Sequence, residues 1–300
     1  MNNDTQAELL RKHEIPGRVA IAVGNGGLPK LHVTTDWSVA EIYPHGAHVT
    51  GFQKNGELPL LFLSQSSWFT DGKPIRGGVP IIFPWFGPRE GVPAHGFARL
   101  ASWDLREVVV MPEGGVKLRL DLPETSAKSN GMNARVSYAV TVNDKLTMEL
   151  IVTNPSSNEV LSFENCLHTY FTVGEIGAVS ITGLKGCSYL DRLDHSARKF
   201  ETADAIRINS EVDRTYLDTT GAVEIHDANF HRKIHVEKNG STSTVVWNPW
   251  IAKSKAMPDF GDEEFKQMVC VESGNVGQNK VTLAPGKSGT LKVMLSSQAI

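Results

Sequence analysis

The feature that most constrains the fold is a regular alternation of apolar and polar side chains in short segments. Between residues 116 and 122 every second residue is apolar, and between residues 134 and 153 two such segments flank a turn at Asn143-Asp144. A period of two is typical of a β-strand with one buried face, and two such strands joined by a short turn form a hairpin. The pattern therefore predicts antiparallel pairing.

Further segments of this kind recur at roughly ten-residue spacing, without intervening helical periodicity. They predict strands at residues 31–35, 48–54, 102–110, 160–170, 223–226, 233–237, 243–247, 268–273, 280–283 and 290–295. Helix is expected only in a turn at residues 261–267 and after Thr5, whose spacing from Glu8 resembles a capping box. The sequence therefore predicts an all-β fold, a large antiparallel β-sandwich with few short helices. We expect residues 1–300 to form a single domain, with residues 1–30 as an N-terminal appendage that carries a short helix.

The composition argues against several classes of function. The chain has 300 residues, of which 40% are hydrophobic, so it is long enough for one large core. Its formal net charge is −3, and basic residues never occur more than two in a row, so we expect no nucleic acid and no membrane as a partner. The first thirty residues lack the order of a secretory signal, and three cysteines match no zinc or disulfide pattern. We therefore expect a cytoplasmic protein, and we expect it to be a monomer.

The segment of residues 75–99 combines glycine, proline and aromatic residues with three arginines, Arg76, Arg89 and Arg99. Its four prolines exclude a helix, so we expect it to form the wall of a pocket. An arginine fork pairs with a carboxylate or phosphate through two parallel hydrogen bonds, so several arginines in one wall suggest a small anionic ligand. The alternative is that each arginine binds a loop carbonyl or a surface carboxylate.

Motifs for metals and nucleotides are incomplete in this sequence. The histidine pairs at residues 45 and 48 and at residues 231 and 235 lack a third ligand at a suitable spacing. The Gly286-Lys287-Ser288 run lacks the earlier glycine of a phosphate-binding loop. We therefore predict no metal and no cofactor.

Three polar residues are candidates for a site because of where they occur. His168 lies in an aromatic-rich segment, where an imidazole needs a partner or a cavity. Glu272 ends an apolar segment, although glutamate is rarely buried. Asp213 precedes Arg214 and suits a ligand-binding carboxylate. The alternatives are a core histidine with its own partner, a glutamate paired with a lysine such as Lys280, and an aspartate paired with Arg214.

Six motifs occur in order along the chain. They are Arg-Gly-Gly-Val-Pro at residues 76–80, Phe-Pro-Trp-Phe-Gly at 83–87, His-Gly-Phe-Ala-Arg at 95–99, the segment around His168, Val-Asp-Arg-x-Tyr at 212–216, and Val-x-Val-Glu-Ser-Gly-Asn ending at residue 275. Together they resemble the hexose-6-phosphate mutarotases, also called glucose-6-phosphate 1-epimerases, within the aldose 1-epimerase superfamily. The resemblance extends over residues 31–295.

The resemblance implies a galactose mutarotase-like β-sandwich that binds a sugar on a concave face. It implies that His168 is the catalytic acid and Glu272 the catalytic base. It also implies four substrate-binding residues, which are Arg76, Arg99, Asp213 and His95. The two arginines are expected to pair with the negative charge of a phosphate. One departure is Ala94, which stands where some relatives carry a glutamine that touches the sugar.

The implied function is interconversion of the α and β anomers of a hexose 6-phosphate, with a small-molecule sugar phosphate as the partner. One group removes the proton of the C1 hydroxyl while another protonates the ring oxygen. Two alternatives stay open, an aldose 1-epimerase that acts on unphosphorylated sugars and a non-catalytic sugar-phosphate-binding protein. Contacts of Arg89, Trp247 and Trp250 with substrate also stay open, because the two tryptophans suit a sugar face and the core equally.

Overall fold

The computed structural model describes residues 3–300, in which antiparallel β-sheet predominates. The strands are β1 (Val19–Val23), β2 (Pro29–Thr34), β3 (Ser38–Tyr43), β4 (His48–Lys54), β5 (Ile81–Ile82), β6 (Asp104–Val110), β7 (Val116–Asp121), β8 (Arg135–Val142), β9 (Leu146–Thr153), β10 (Leu161–Phe163), β11 (Asn165–Leu167), β12 (Tyr170–Thr172), β13 (Val179–Thr182), β14 (Ser188–Asp191), β15 (Ala197–Phe200), β16 (Ile206–Arg207), β17 (Val212–Leu217), β18 (Val223–Asp227), β19 (Arg232–Asn239), β20 (Ser243–Asn248), β21 (Met268–Asn275), β22 (Val281–Leu283) and β23 (Ser288–Ala299). The α-helices are α1 (Asn3–Arg11), α2 (Glu124–Ser129) and α3 (Trp250–Ala256). The predicted all-β class with few short helices is confirmed.

Two large sheets form most of this structure. One has nine strands in the order β16-β13-β18-β19-β23-β9-β8-β7-β6, and the other has eight, in the order β15-β14-β17-β20-β21-β11-β5 with β12 also paired to β21. Val269 and Val271 of the eight-stranded sheet share one hydrophobic core with Ile234 and Leu295 of the nine-stranded sheet. The two sheets therefore pack against each other as a β-sandwich. A four-stranded sheet, β1-β2-β3-β4, and the pair β10-β22 complete the architecture.

The opposite face of the eight-stranded sheet carries a second, smaller hydrophobic cluster. Met268 and Cys270 of β21 belong to it, together with Trp247 of β20. Because side chains alternate along a strand, Glu272 points to the same side as Cys270, away from the nine-stranded sheet. All eight residues of β21 are buried, since both faces of this strand are covered.

The strands with the clearest alternation were predicted correctly. The predicted hairpin is confirmed, because β8 and β9 pair along their whole length across the turn. The predicted continuous strand over residues 160–170 is wrong, because it is divided into β10, β11 and β12. The carboxylate of Glu164 instead accepts the N–H of Phe86, and the N–H of His168 donates to the carbonyl of Pro80. These contacts with the segment of residues 75–99 interrupt the strand at two points.

The N-terminal segment carries the predicted short helix, α1, but also a strand that was not predicted. β1 pairs with β2 over five residues, and Leu10 and Val19 reach the main hydrophobic core. That core draws side chains from Leu10 to Leu295, and we propose on this basis that the chain forms one domain. Helices α2 and α3 were not predicted. No helix within residues 3–300 is long and apolar enough to cross a membrane.

Candidate active site

Strand pairing brings His168 and Glu272 together. Strands β11 and β12 both pair with β21, one on each side of Glu272. His168 is the first of the two residues that join β11 to β12, and it therefore lies opposite Glu272. Nε2 of His168 lies 3.2 Å from Oε1 of Glu272, and the two side chains are only 10% and 1% exposed. The alternative that Glu272 pairs with Lys280 at a sheet edge is therefore wrong.

Neighbouring side chains orient both members of this pair. The thiol of Cys166 donates to Oε2 of Glu272 at 3.5 Å. The ring of Tyr170 stacks on His168 with centroids 4.8 Å apart, and Trp247 meets the imidazole edge-on at 6.0 Å. Such contacts hold the imidazole plane and the carboxylate in one arrangement, which general acid and base groups need.

Burial controls the proton affinity of both groups. It raises the pKa of Glu272 well above its ordinary value, and the charge of Asp213 raises it further. It lowers the pKa of His168 well below its ordinary value, and His95 and Arg99 act in the same direction. Both shifts oppose charge, so burial favours a neutral carboxyl beside a neutral imidazole over an ion pair.

The pair opens into a cavity of about 600 Å³. Its walls include five of the six residues predicted to bind or transform substrate, together with Trp247; the five are Arg76, His95, His168, Asp213 and Glu272, whereas Arg99 is not among the lining residues. A cavity of this size falls within the range of small-molecule sites, about 300–1,000 Å³. A second cavity, of about 590 Å³, lies beside α1 and shares no lining residue with the first.

Arg76 reaches the cavity but is already paired. Its Nε and Nη2 atoms lie 3.0–3.2 Å from the carboxylate of Asp259, and Nη1 donates to the hydroxyl of Tyr170 at 3.1 Å. Burial disfavours the charged form, but Tyr170 and Asp259 outweigh it and raise the pKa of Arg76. The guanidinium is therefore held rigidly, and it presents a fixed positive edge at the cavity wall.

Arg99 is buried with few partners. It is 9% exposed, and its Nη2 donates to the carbonyl of Ala94 at 2.8 Å. Its buried Nε has no hydrogen-bond partner among residues 3–300. Burial, and then the nearby charge of Arg76, lowers the pKa of Arg99 to about 10. A buried guanidinium in this state lacks the anion that would normally compensate it.

His95 lies beside the acid–base pair, within the loop that carries Arg99. Its ring meets that of His168 edge to face at 5.7 Å, and its Nδ1 accepts the N–H of Gly87. Burial lowers the pKa of His95 to about 3, and Arg99 contributes to the shift. The next residue, Gly96, has φ +74°, and a Cβ there would lie 1.9 Å from the carbonyl oxygen of Phe83. Only glycine allows the loop to approach this closely.

Asp213 lies on β17, opposite Trp247 of β20, and its side chain lines the cavity. The alternative that it pairs with Arg214 is wrong, since Arg214 forms a salt bridge with Glu201 at 3.1 Å. Burial raises the pKa of Asp213, and the charges of Lys253 and Arg192 oppose that shift. The carboxylate is thus available to accept hydrogen bonds from a ligand.

The structure also distinguishes among the three residues whose contacts with substrate could not be predicted from the sequence. Trp247 lines the cavity, whereas the ring of Trp250 packs on Phe265 with centroids 5.2 Å apart. Arg89 lies over Trp85, 3.6 Å from the carboxylate of Glu164, in a different surface depression. Of these three open residues, Trp247 is the one that faces the cavity.

Several residues of the site were not found from the sequence. Asp259 binds Arg76 across 183 positions, a separation for which the sequence gives no signal. Arg192 and Lys253 line the cavity, although each occurs in an ordinary polar segment. A possible metal-binding group was also missed: donor atoms of His168, Cys270 and Glu272 all lie within 4.8 Å of one another.

A family profile described as aldose 1-epimerase matches residues 29–296. A protein from Cenchrus ciliaris, described as a candidate glucose-6-phosphate 1-epimerase, is 36% identical over 267 residues, which cover 86% of this chain and 81% of the relative. The chain belongs to the aldose 1-epimerase family. The resemblance drawn from the six sequence motifs is confirmed.

Other relatives of this epimerase agree with the assignment. A protein from Escherichia coli K12 with the same description is 33% identical over 240 residues, which cover 79% of this chain and 80% of the relative. The solved structure of a candidate mutarotase from Salmonella typhimurium superposes with a TM-score of 0.88 at 28% identity, covering 96% of both chains. A galactose mutarotase-like protein from Clostridium acetobutylicum, at 13% identity and a TM-score of 0.70, shares the fold over 94% of this chain and 98% of its own. The predicted galactose mutarotase-like fold is confirmed.

Family membership makes this chain an isomerase that interconverts the α and β anomers of an aldose. Such an epimerase must open a hemiacetal ring and close it again, which needs one proton donor and one proton acceptor at the same carbon. His168 and Glu272, which are in contact and line the cavity, are the candidates for these two groups.

Proposed function

We propose that this epimerase acts on a hexose 6-phosphate, with His168 as the acid and Glu272 as the base. The observation that carries the proposal is the 3.2 Å contact between Nε2 and Oε1, at a cavity whose wall includes Arg76. The hydroxyl oxygen and the ring oxygen of a hemiacetal are bonded to one carbon. Groups that act on both must therefore lie within about one sugar ring of each other, and these two do.

In the proposed mechanism, Glu272 takes the proton of the C1 hydroxyl while His168 gives a proton to the ring oxygen. The C1–O5 bond breaks and C1 becomes an aldehyde. Rotation about C1–C2 then presents the other carbonyl face, and the same pair working in reverse closes the ring. Burial favours the proton on Glu272, so for Glu272 to act as the base this proton must first move to His168.

The phosphate preference rests on Arg99 and Arg76. Arg99 is a buried guanidinium with an unpartnered Nε within the described chain, and the charge of Arg76 lies near enough to lower its pKa. A dianionic phosphate would compensate both charges through charge-assisted hydrogen bonds, whereas a neutral hexose would not. The names of the relatives from Cenchrus ciliaris and Escherichia coli point to the same substrate.

Within the same proposal, Asp213 and His95 bind hydroxyl groups of the sugar. Asp213 offers an acceptor on the sheet side of the cavity, and His95 offers a neutral imidazole from the loop side. We further propose a cytoplasmic, monomeric enzyme whose partner is a small sugar phosphate, as the sequence predicts.

The test is the rate at which freshly dissolved α-glucose 6-phosphate reaches anomeric equilibrium, followed by polarimetry, with free glucose and galactose as neutral substrates. We expect a clear preference for the phosphorylated sugar. We also expect His168→Ala and Glu272→Gln each to lower the rate by roughly 10²–10⁴-fold, because each removes a proton-transfer group.

A surface pair provides a matched control. Nε2 of His226 lies 3.1 Å from Oε2 of Glu224, but both residues are partly exposed and neither lines the cavity. His226→Ala and Glu224→Gln should therefore leave the rate unchanged. Equal rates for phosphorylated and neutral sugars would indicate the unphosphorylated alternative. Binding of glucose 6-phosphate without any acceleration would indicate a non-catalytic binding protein.

A further inference from the structure

Three different metal-binding atoms meet beside the cavity, which two of their residues, His168 and Glu272, line. The imidazole of His168, the thiol of Cys270 and the carboxylate of Glu272 place one ligand atom each within 4.8 Å of the others, and all three residues are buried. The mutarotase reaction uses only two of them. Cys270 has no part in that chemistry.

We propose that this group, the His168–Cys270–Glu272 cluster, binds Zn²⁺ and that zinc inhibits the enzyme. Nitrogen, sulfur and carboxylate oxygen are the ligand atoms that zinc prefers, at about 2.0–2.3 Å. Three protein ligands leave the fourth tetrahedral position for water. The fold supplies the ligands without rearranging the backbone. Cys270 and Glu272 are two residues apart on one face of β21, and His168 lies opposite Glu272, just before β12 pairs with β21.

The spacing suits a small rearrangement of side chains. Ligand atoms around zinc are separated by roughly 3.3–3.8 Å, given the bond lengths above and a tetrahedral angle. The nearest atoms of His168 and Glu272, 3.2 Å apart, are already close to this range. Rotation of the Cys270 thiol or of the carboxylate would shorten the longer separations, and His168 and Glu272 both line the cavity through which an ion would enter.

The charges in the cluster balance. On binding, the Cys270 thiol and the His168–Glu272 pair each lose a proton to solvent, and the resulting thiolate and carboxylate neutralise the two charges of zinc. Of the nearby arginines, Arg76 is already paired with a carboxylate, so Arg99 is the cation that opposes the ion.

We expect moderate affinity. Metal-binding histidines usually donate their second ring nitrogen to an acceptor that fixes the ring. Nδ1 of His168 is buried without a partner among residues 3–300. The cluster should therefore bind zinc reversibly. Because the ion occupies the lone pairs that transfer protons, bound zinc and catalysis are mutually exclusive.

The test uses the whole protein and Co²⁺ as a spectroscopic substitute for Zn²⁺, without any sugar. We expect a thiolate-to-cobalt charge-transfer band that Zn²⁺ abolishes and a chelator removes. Cys270→Ser should lose this band and weaken Zn²⁺ binding by at least about 10-fold. Cys187→Ser is the matched control, because Cys187 is a free thiol outside the cluster, and it should behave as the wild type.

The outcome does not depend on which sugar the enzyme prefers. A cobalt spectrum without a thiolate band would overturn the assignment, as would zinc binding of equal strength in Cys270→Ser. If Cys270→Ser does not fold, Cys270→Ala takes its place, because the wild-type spectrum alone does not distinguish Cys270 from Cys166, whose thiol contacts Glu272. Inhibition is measured in an anomerisation assay with whichever aldose the enzyme turns over, and the rate of each variant is divided by its own metal-free rate. Zinc should inhibit the wild type and Cys187→Ser to the same extent. Inhibition of Cys270→Ser at the same zinc concentration would refute the proposal.

Discussion

Replacing Arg99 by methionine should make the protein more stable and at the same time less active on a phosphorylated sugar. Burial and Arg76 lower the pKa of Arg99 from its ordinary value to about 10. Because the pKa of this basic group is lower in the folded state than in the unfolded state, its charged form destabilises the fold. The full cost applies at every pH below about 10. At pH 7, a shift of this size corresponds to about 3 kcal/mol.

Methionine removes that cost while filling a similar volume. It also removes the hydrogen bond from the charged Nη2 to the carbonyl of Ala94, which contributes about 1.5–3 kcal/mol. The net expectation is a gain of about 0–1.5 kcal/mol in the free energy of unfolding at pH 7. The gain should shrink as the pH rises above about 10, because the guanidinium of the folded wild type then loses its proton.

The activity should move in the other direction. Hydrogen bonds to a charged group contribute about 1.5–3 kcal/mol, so kcat/KM for glucose 6-phosphate should fall roughly 10- to 100-fold in Arg99→Met. The value for neutral glucose should change little, because glucose carries no phosphate. Glucose 6-phosphate should also raise the melting temperature of the wild type more than that of the variant.

Urea denaturation at pH 7 and the polarimetric assay measure the two effects. Arg232→Met is the matched control: Arg232 is a second buried arginine with an unpartnered Nε in the described chain, but its other nitrogens bind the carbonyls of Leu58, Pro59 and Thr172. That variant should lose stability and keep its substrate preference. A less stable Arg99→Met, or equal losses for both sugars, would refute the reasoning, since Arg99 would then be structural.

Three further predictions concern charged groups around the cavity and between the sheets. Asp259→Asn should lower the free energy of unfolding by about 3 kcal/mol in urea titrations, because it leaves Arg76 buried without its carboxylate. Asp213→Asn should raise KM for both phosphorylated and neutral sugars in the polarimetric assay, and a rise for one of them alone would contradict a hydroxyl-binding role. Burial lowers the pKa of Lys238 to about 8, so its charge opposes folding below that pH. Relative to Lys238→Met, the wild type should therefore gain stability between pH 8 and pH 10, and parallel pH profiles would contradict this.

The sequence was most informative where one physical pattern dominates. Strict alternation predicted β7, β8 and β9, because each has one face in the core and one in water. Short strands such as β14 were missed, since only one of its four residues is buried and no alternation results. The break in the predicted strand at residues 160–170 depends on hydrogen bonds to a distant segment, which no local pattern records.

The candidate site shows the same division. His168 and Glu272 were found because a titratable residue within an apolar segment is unusual, and the family motifs gave them roles. The environment of Arg76 was not predicted, because its salt bridge to Asp259 forms only in the folded chain. The role of Cys270 was missed for a similar reason: sequence spacing separates it from His168, whereas pairing of β12 with β21 brings the two close.

That pairing has a consequence for how such an enzyme changes over time. The distance between His168 and Glu272 is set by the spacing of hydrogen-bonded strands, whereas Arg76, His95 and Arg99 come from a connecting segment. Replacements, insertions and deletions in that segment alter what the cavity recognises without moving the proton-transfer atoms. The reaction and the choice of substrate are thus inherited on separate parts of the chain, and one can diverge while the other is preserved.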